Sequence, residues 1–346
     1  MRAAASEGSL LGMNVLILGA GGFLGVNILD AFRAAGAEPT CATRRVPARR
    51  SLRMRGARLV VADLDHPESL RLAMQGHDLV VHAAGHYPFL STQPDRTVAT
   101  AARQTRNVLD AAAESGVSRL IFVSSTGTVI ARSDGRASTE RDRYASMPGR
   151  GAYIDAKWVM EELVRLETRF EVSTLCPGAC LGAGDMRLGT AGMLVALARR
   201  HPVPYVDGWI NPVDALDVGG AVVRVSRAAV PVPRMLLAGS NWRMSALLAH
   251  VASRYDVHAP SPLPLDEAVD LAERAELESE RTGERPALAR EFVDLLANAG
   301  PVDCSLARGH GISFRPLDDT LHTFDVWARA QRIIPAVAAT TQDQAS

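Results

Sequence analysis

Tyr153 and Lys157 stand four residues apart, and Ser125 precedes the tyrosine by 28. On a helix, a four-residue spacing places a phenol and an ammonium on one face, a turn apart. The pairing has a chemical purpose. A phenol near its ordinary pKa of about 10 is a poor base at neutral pH. A close ammonium, or a cationic nicotinamide, favours the phenolate and brings it into working range. A serine hydroxyl can then hold a substrate oxygen while Tyr153 gives or takes its proton, with Thr126 as a neighbouring hydroxyl. Tyr-x-x-x-Lys pairs arise often by chance, and serines often end strands. It is their order after a phosphate-type loop that carries information.

That loop is Leu18-Gly19-Ala20-Gly21-Gly22-Phe23-Leu24-Gly25, at the end of the first apolar run. Gly19 suits a tight turn, Gly22 a close approach of backbone to a pyrophosphate, and Gly25 the packing of a helix on a strand. Phe23 and Leu24 open that helix, whose first N–H groups would face the phosphates. About 20 residues on, where an acid would bind the ribose hydroxyl of NAD, stand Arg44 and Arg45. Two guanidinium groups suit a 2′-phosphate, so NADP(H) is expected, with NAD(H) the alternative. Asp63 and Leu64 follow the third apolar run, and Ala83-Ala84-Gly85 the fourth. A carboxylate there could meet the adenine amine, and small residues let a ribose lie on the backbone. His86 and Tyr87 come next and are candidates to face the substrate; packing is the commoner role for such residues.

Stepping along the chain, short apolar runs at Val15–Leu18, Arg58–Ala62, Leu79–His82, Leu120–Ser124 and Val172–Cys176 alternate with helical spacing, with a weaker run at Thr40–Thr43 and another at Met235–Ala238. Continuous apolar strands between helices imply a parallel sheet covered on both faces, a doubly wound Rossmann-type α/β fold. The expected organisation is a tail over 1–12, a dinucleotide-binding domain over 13–184, a smaller, mostly helical substrate-binding portion over 185–334 and a disordered tail over 335–346, with segments near 205–240 returning to the first domain.

Composition excludes some classes. With 38 basic and 38 acidic residues the net charge is zero, giving no long-range pull toward nucleic acid or anionic lipid. No apolar run reaches membrane-span length, and Leu10–Leu18 ends in a glycine turn, not a signal cleavage site. The four cysteines make neither a CxxC pair nor a metal set, so they read as structural thiols in a reducing, cytoplasmic setting, and no metal is expected.

Taken together, Gly19-x-x-Gly22-x-x-Gly25, Asp63-Leu64, His82-Ala83-Ala84-Gly85, Val123-Ser124-Ser125-Thr126, Tyr153-x-x-x-Lys157 and Pro177-Gly178 resemble the extended branch of the short-chain dehydrogenase/reductase superfamily. The resemblance runs over about residues 13–334, and Ser124–Val129 with the arginine loop is most similar to the dihydroflavonol-reductase and hydroxysteroid-dehydrogenase side. It implies a Ser125–Tyr153–Lys157 triad, Pro177 and Gly178 beside the nicotinamide, and a homodimer formed by the helices around Val98–Ser115 and Ala156–Arg169. Two departures stand out. Ala101 and Gln104 hold places where the family often has Asn and Gly in the helix behind the site, and Cys176-Pro177-Gly178-Ala179 lacks the basic and amide groups that help hold a diphosphate sugar. The implied activity is NADP(H)-dependent hydride exchange with a ketone or alcohol of a small, fairly apolar molecule. An NAD-retaining nucleotide-sugar epimerase or dehydratase is the alternative, and a non-catalytic NADP-sensing protein the third.

Overall fold

Seven strands form one parallel sheet: β1 Val15–Leu18, β2 Thr40–Thr43, β3 Arg58–Val61, β4 Leu79–His82, β5 Arg119–Val123, β6 Glu171–Pro177 and, after three short strands in smaller pairings (β7 Ala179–Leu181, β8 Trp209–Ile210, β9 Pro212–Asp214), β10 Arg234–Leu237. A last short strand, β11 Trp242–Arg243, pairs antiparallel with β8, and β7 pairs parallel with β9. The computed structural model describes Leu10 and residues 12–45, 50–85, 91 and 93–335, so His86 and Tyr87 lie outside the described residues. The sheet order is β3-β2-β1-β4-β5-β6-β10. The chain therefore runs outward from β1 to β3, then crosses to β4 on the other side of β1. The crevice at this reversal, beyond the carboxyl ends of β1 and β4, is where doubly wound sheets bind ligands.

The helices are α1 Phe23–Ala34, α2 Arg50–Arg53, α3 Pro67–Met74, α4 Pro94–Glu114, α5 Ala152–Arg165, α6 Gly192–Ala198, α7 Ala215–Ser226, α8 Met244–Arg254, α9 Leu265–Thr282, α10 Arg290–Asn298, α11 Ser305–Gly309 and α12 Leu317–Ala330. Alternation along the strands explains the two-faced burial. Leu16, Leu18, Val80, Leu120 and Phe122 meet α3, α4 and α5 on one side. Val15, Ile17, Leu79, Val81, Ile121 and Val123 meet α1 and α7 on the other. Such runs have no polar face to give to water, which is why they read as unbroken apolar segments.

The later chain rejoins the sheet through α7 and β10. Asp214 caps α7, its Oδ1 accepting from the Leu216 amide at 2.8 Å, and α7 then packs on α1. Gly219 makes this approach close: a Cβ there would stand 2.7 Å from the Asn27 carbonyl oxygen. β10 extends the sheet, and Cys304 and Ala307 at α11 join the same core. A separate apolar cluster, including Leu194, Met244, Leu248, Leu296 and Phe324, holds the remaining helices together. On α4 and α5, the helices expected to form a dimer, most of the apolar residues pack within the chain. Ala102, Thr105, Leu109 and Ala112 of α4 and Met160 of α5 are buried, Val98, Val159 and Leu163 are partly buried against the sheet-side core, and Leu166 alone of the set is well exposed.

Candidate active site

The glycine loop fits a dinucleotide on steric grounds. Gly19 has φ +86°, and a Cβ on it would lie 2.7 Å from the Ala83 carbonyl carbon, so β1 and β4 close on each other only without a side chain. A Cβ on Gly25 would lie 2.2 Å from the Gly19 oxygen, which fixes how tightly α1 starts against the turn. The Gly22 amide donates to the Gly19 oxygen at 2.9 Å. No acidic residue occupies the first turn of α1, and Gly22 offers no side-chain cap, so its N-terminus suits an anion.

The other cofactor candidates ring the same crevice. Arg44 and Arg45 follow β2 directly, both exposed, and the Arg45 carbonyl accepts from the Thr43 hydroxyl at 3.1 Å. Asp63 is half-buried past the end of β3, its Oδ1 accepting from the Asp65 amide at 3.1 Å. Asn107 of α4 donates to the Leu64 carbonyl at 2.8 Å, holding that turn to the helix. Ala83, Ala84 and Gly85 follow β4 directly. Pro177 ends β6, and Gly178 packs so closely on the segment before β9 that a Cβ would reach 2.1 Å from the Asn211 oxygen.

Ser125 ends the turn after β5 and starts a single 3-10 turn over Thr126–Thr128, where its Oγ accepts from the Gly127 amide at 3.1 Å. Tyr153 lies in the first turn of α5, and its phenol is hydrogen-bonded to the Ser125 side chain. Lys157 follows one turn later, buried, with Nζ donating to the Val123 carbonyl at 2.9 Å and standing 5.4 Å from the Phe122 ring centre. The structure thus joins Ser125 to Tyr153 and places Lys157 one helical turn on, held to the end of the strand that leads into Ser125.

Electrostatically, burial dominates here. It pushes the Tyr153 phenol up to about 12, against the Ser125 hydrogen bond that favours phenolate, with Glu291 adding to the rise. It pulls the Lys157 ammonium down to about 8, with Cys176, Glu161 and Cys180 pulling back. The expected lowering of the phenol is therefore outweighed in the protein alone by the loss of water around it. His82, also wholly buried, is driven down to about 3 and stays neutral beside the lysine.

Behind the Ser125 turn sits a cluster the sequence did not announce. Glu161 of α5 accepts from the Ser124 hydroxyl at 2.7 Å and from the Thr128 hydroxyl at 2.8 Å. Its other oxygen lies 2.7 Å from Arg234 Nε, an ionic contact off the hydrogen-bond direction. Arg234, from β10, also donates to the Thr128 hydroxyl at 2.9 Å and to the Glu140 carbonyl at 2.9 Å. Both side chains are nearly buried, at 10% and 6% exposure. The cluster thus clamps both ends of the turn that presents Ser125 and Thr126. Where the family's helix often carries Asn and Gly, Ala101 is fully buried and Gln104 donates to both Asp65 oxygens at 3.1 Å.

Ser125, Thr126, Tyr153 and Gly178 form one end of a cavity of about 860 Å³. Its far walls come from the later chain and include Leu188, Met193, Val203, Leu288, Phe292 and Leu296. Trp158 and Trp209 are absent from its lining; the Trp158 indole donates to the Tyr144 carbonyl at 3.1 Å.

A sequence model of the NAD dependent epimerase/dehydratase family matches residues 15–204, from β1 through the Tyr153–Lys157 helix and beyond. The chain belongs to this family. A putative dihydroflavonol 4-reductase of Synechocystis sp. is 24% identical over 299 residues, covering 84% of this chain and 87% of that one. Other curated relatives are named reductases and a dehydrogenase. Among solved structures, a nucleoside-diphosphate-sugar epimerase from Pseudomonas aeruginosa superposes with a TM-score of 0.78 at 26% identity, over 94% of this chain and all of that one. A Thermus thermophilus UDP-glucose 4-epimerase complex with NAD gives a TM-score of 0.72 at 18% identity over 92% and 99% of the two chains, a likeness of fold. This family member is thus an NAD(P)-dependent enzyme of the extended short-chain dehydrogenase/reductase type, acting on small molecules. No described helix is long and apolar enough to cross a membrane.

Proposed function

We propose that the enzyme is an NADP(H)-dependent oxidoreductase that interconverts a ketone and an alcohol on a small, fairly apolar molecule. The observation that carries this reading is the Ser125–Tyr153 hydrogen bond on the wall of the 860 Å³ cavity, with Lys157 one helical turn behind. A cavity of that volume takes a drug-sized ligand. The bound dinucleotide supplies or accepts the hydride; Gly19, Gly22, Gly25, Phe23 and Leu24 would hold its pyrophosphate, Arg44 and Arg45 its 2′-phosphate, Asp63, Leu64, Ala83, Ala84 and Gly85 its adenosine side, and Pro177 and Gly178 its nicotinamide end.

The protein's own contribution is to orient and to move a proton. Ser125 holds the substrate oxygen with Thr126 nearby, and Tyr153 gives or takes the proton at that oxygen. Lys157 would hold the nicotinamide ribose and supply positive charge that favours the phenolate once the dinucleotide is bound. Tyr153→Phe tests the assignment, since it deletes the hydroxyl and little volume. Turnover should fall about 10²–10⁴-fold while cofactor affinity stays within twofold. Retention of more than a tenth of wild-type turnover with any accepted carbonyl would overturn the mechanism.

A second reading has one observation in its favour, the 26% identity to a protein described as a nucleoside-diphosphate-sugar epimerase. It requires NAD to remain bound through turnover. Purified protein that carries stoichiometric NAD and epimerises a sugar nucleotide without net cofactor consumption would establish it instead.

A further inference from the structure

We propose that Glu291, on α10, is a positioning residue for Tyr153: its carboxylate holds the first turn of α5 and so sets where the phenol stands on the cavity wall. The proposal rests on Tyr153 as the proton-transfer group.

The first turn of any helix leaves amides without intrahelical partners. In α5 the N-cap position is Gly151, which has no side chain to satisfy them. Glu291 reaches in from 138 residues away, accepting from the amide of Tyr153 and from that of Ile154. Gly151 makes the approach possible. Its φ is +97°, and a Cβ there would lie 3.0 Å from Glu291 Oε1. Any other residue would both strain the backbone and crowd the carboxylate.

α10 is fixed where a cap alone would not require it. Arg150, just before α5, donates from Nε to Asp294 Oδ2 at 3.0 Å and from Nη2 to the Asp294 carbonyl at 2.7 Å. Farther along, Gly208 packs onto α10 so closely that a Cβ would lie 1.9 Å from the Leu296 oxygen. The same short helix places Phe292, Leu295 and Leu296 in the cavity wall. A molecule filling the cavity therefore bears on α10, and α10 bears on the tyrosine through two backbone amides. Substrate contact and phenol position become one mechanical unit.

Charge adds a second link. Glu291 meets the α5 amides, with Tyr153 and Asp155 of α5 and Glu276 of α9 acting on it by charge, while Arg150 and Arg290 are paired with Asp294 and Glu273. Burial, with Asp155 and Glu276 nearby, raises the carboxyl to about 7. Its anion in turn raises the Tyr153 phenol. Glu291→Gln keeps an acceptor for the amides and removes the charge, whereas Glu291→Ala removes both.

The test compares both variants with wild type in two assays. One is NADPH oxidation with 9,10-phenanthrenequinone as the carbonyl probe, across pH. The other is hydrogen exchange, read by mass spectrometry, at the peptide carrying Tyr153 and Ile154. For Glu291→Ala we expect kcat to fall at least tenfold, NADPH affinity to stay within twofold, and exchange to quicken in the first turn of α5. For Glu291→Gln we expect near-native exchange, kcat within threefold, and the alkaline limb of the pH profile lowered by roughly half a pH unit. A merely structural cap would change stability and exchange without moving that limb. Wild-type kcat in Glu291→Ala, or an unmoved limb in Glu291→Gln, overturns the proposal. If Glu291→Ala does not fold, the limb in Glu291→Gln decides. If wild type does not reduce the quinone, the oxidoreductase reading is what fails. Exchange then decides here: local quickening confined to the first turn supports the positioning role, and unchanged exchange refutes it.

Discussion

Lys157→Met should make the protein less active and, at neutral pH, no less stable. Lys157 is 6% exposed, and its ammonium meets the Val123 carbonyl and the Phe122 ring face where it would otherwise meet water. The folded state therefore disfavours the charged form, and the pKa falls from 10.5 to about 8. Below pH 8 the lysine is charged in both states, and the folded protein carries the full desolvation cost. Between pH 8 and 10.5 the unfolded chain keeps a proton that the folded protein has released, so wild-type stability rises with pH relative to a variant without the amine. A gap of about 2.5 pH units corresponds to about 3 kcal/mol in total, most of it falling between pH 7 and 10. Urea unfolding of wild type and Lys157→Met at pH 7, 8, 9 and 10 measures it directly. The variant should match or exceed wild type at pH 7, and the difference should move in favour of wild type by about 2–3 kcal/mol by pH 10. Groups common to both proteins cancel in the difference. Parallel curves would refute the reasoning, because they would mean that the ammonium is solvated in the folded state.

Three further outcomes follow from other parts of the molecule. If Arg44 and Arg45 meet a 2′-phosphate, calorimetry should give NADP(H) at least tenfold tighter binding than NAD(H), about 1.4 kcal/mol, and Arg44→Ala with Arg45→Ala should erase the gap. Glu161→Ala should destabilise the fold by about 3–5 kcal/mol by leaving the Arg234 guanidinium buried without its counter-ion, whereas Glu161→Leu combined with Arg234→Met should recover most of that loss in chemical denaturation. A homodimer built on α4 and α5 would have to use their outer faces, which carry Arg103, Arg106, Asp110 and Leu166, and dimeric mass by light scattering at micromolar concentration would establish it.

What could be read from the sequence was local. The glycine loop, the strand ends and the Tyr153–Lys157 spacing each depend on residues within a turn or two of each other, and Gly19 and Gly25 occupy the tight positions their roles require. Gly219-Gly220 carries no helical signal of its own, yet Gly219 is what lets α7 press against the Asn27 backbone of α1. The Glu161–Arg234 pair joins α5 to β10 across 73 residues, and no periodicity links those two positions. Only one hint was available, since Glu161 repeats the four-residue spacing of Tyr153 and Lys157 and so shares their helix face. Glu291 gave no such hint. Its partners are backbone amides, which are present at every position and carry no sequence signal.

The same division decides how far likeness to known folds can reach. The parallel sheet, the glycine turn and the helix bearing Tyr153 are the parts that sugar-nucleotide epimerases and carbonyl reductases share, so superposition on either weighs the common half most heavily. What differs between the two chemistries is the wall facing the substrate. Here that wall places Gly178 and Ala179 directly after β6, where backbone packing against Asn211 leaves no room for a side chain at 178. Beyond them it continues through Leu188, Met193, Val203 and the apolar residues of α10, with Arg199, His201 and Arg285 also in the lining and no carboxylate there among the described residues. Arg150, the lining guanidinium nearest Tyr153 in sequence, is engaged with Asp294 and the Tyr144 hydroxyl. The wall, and not the fold, is where the two readings part.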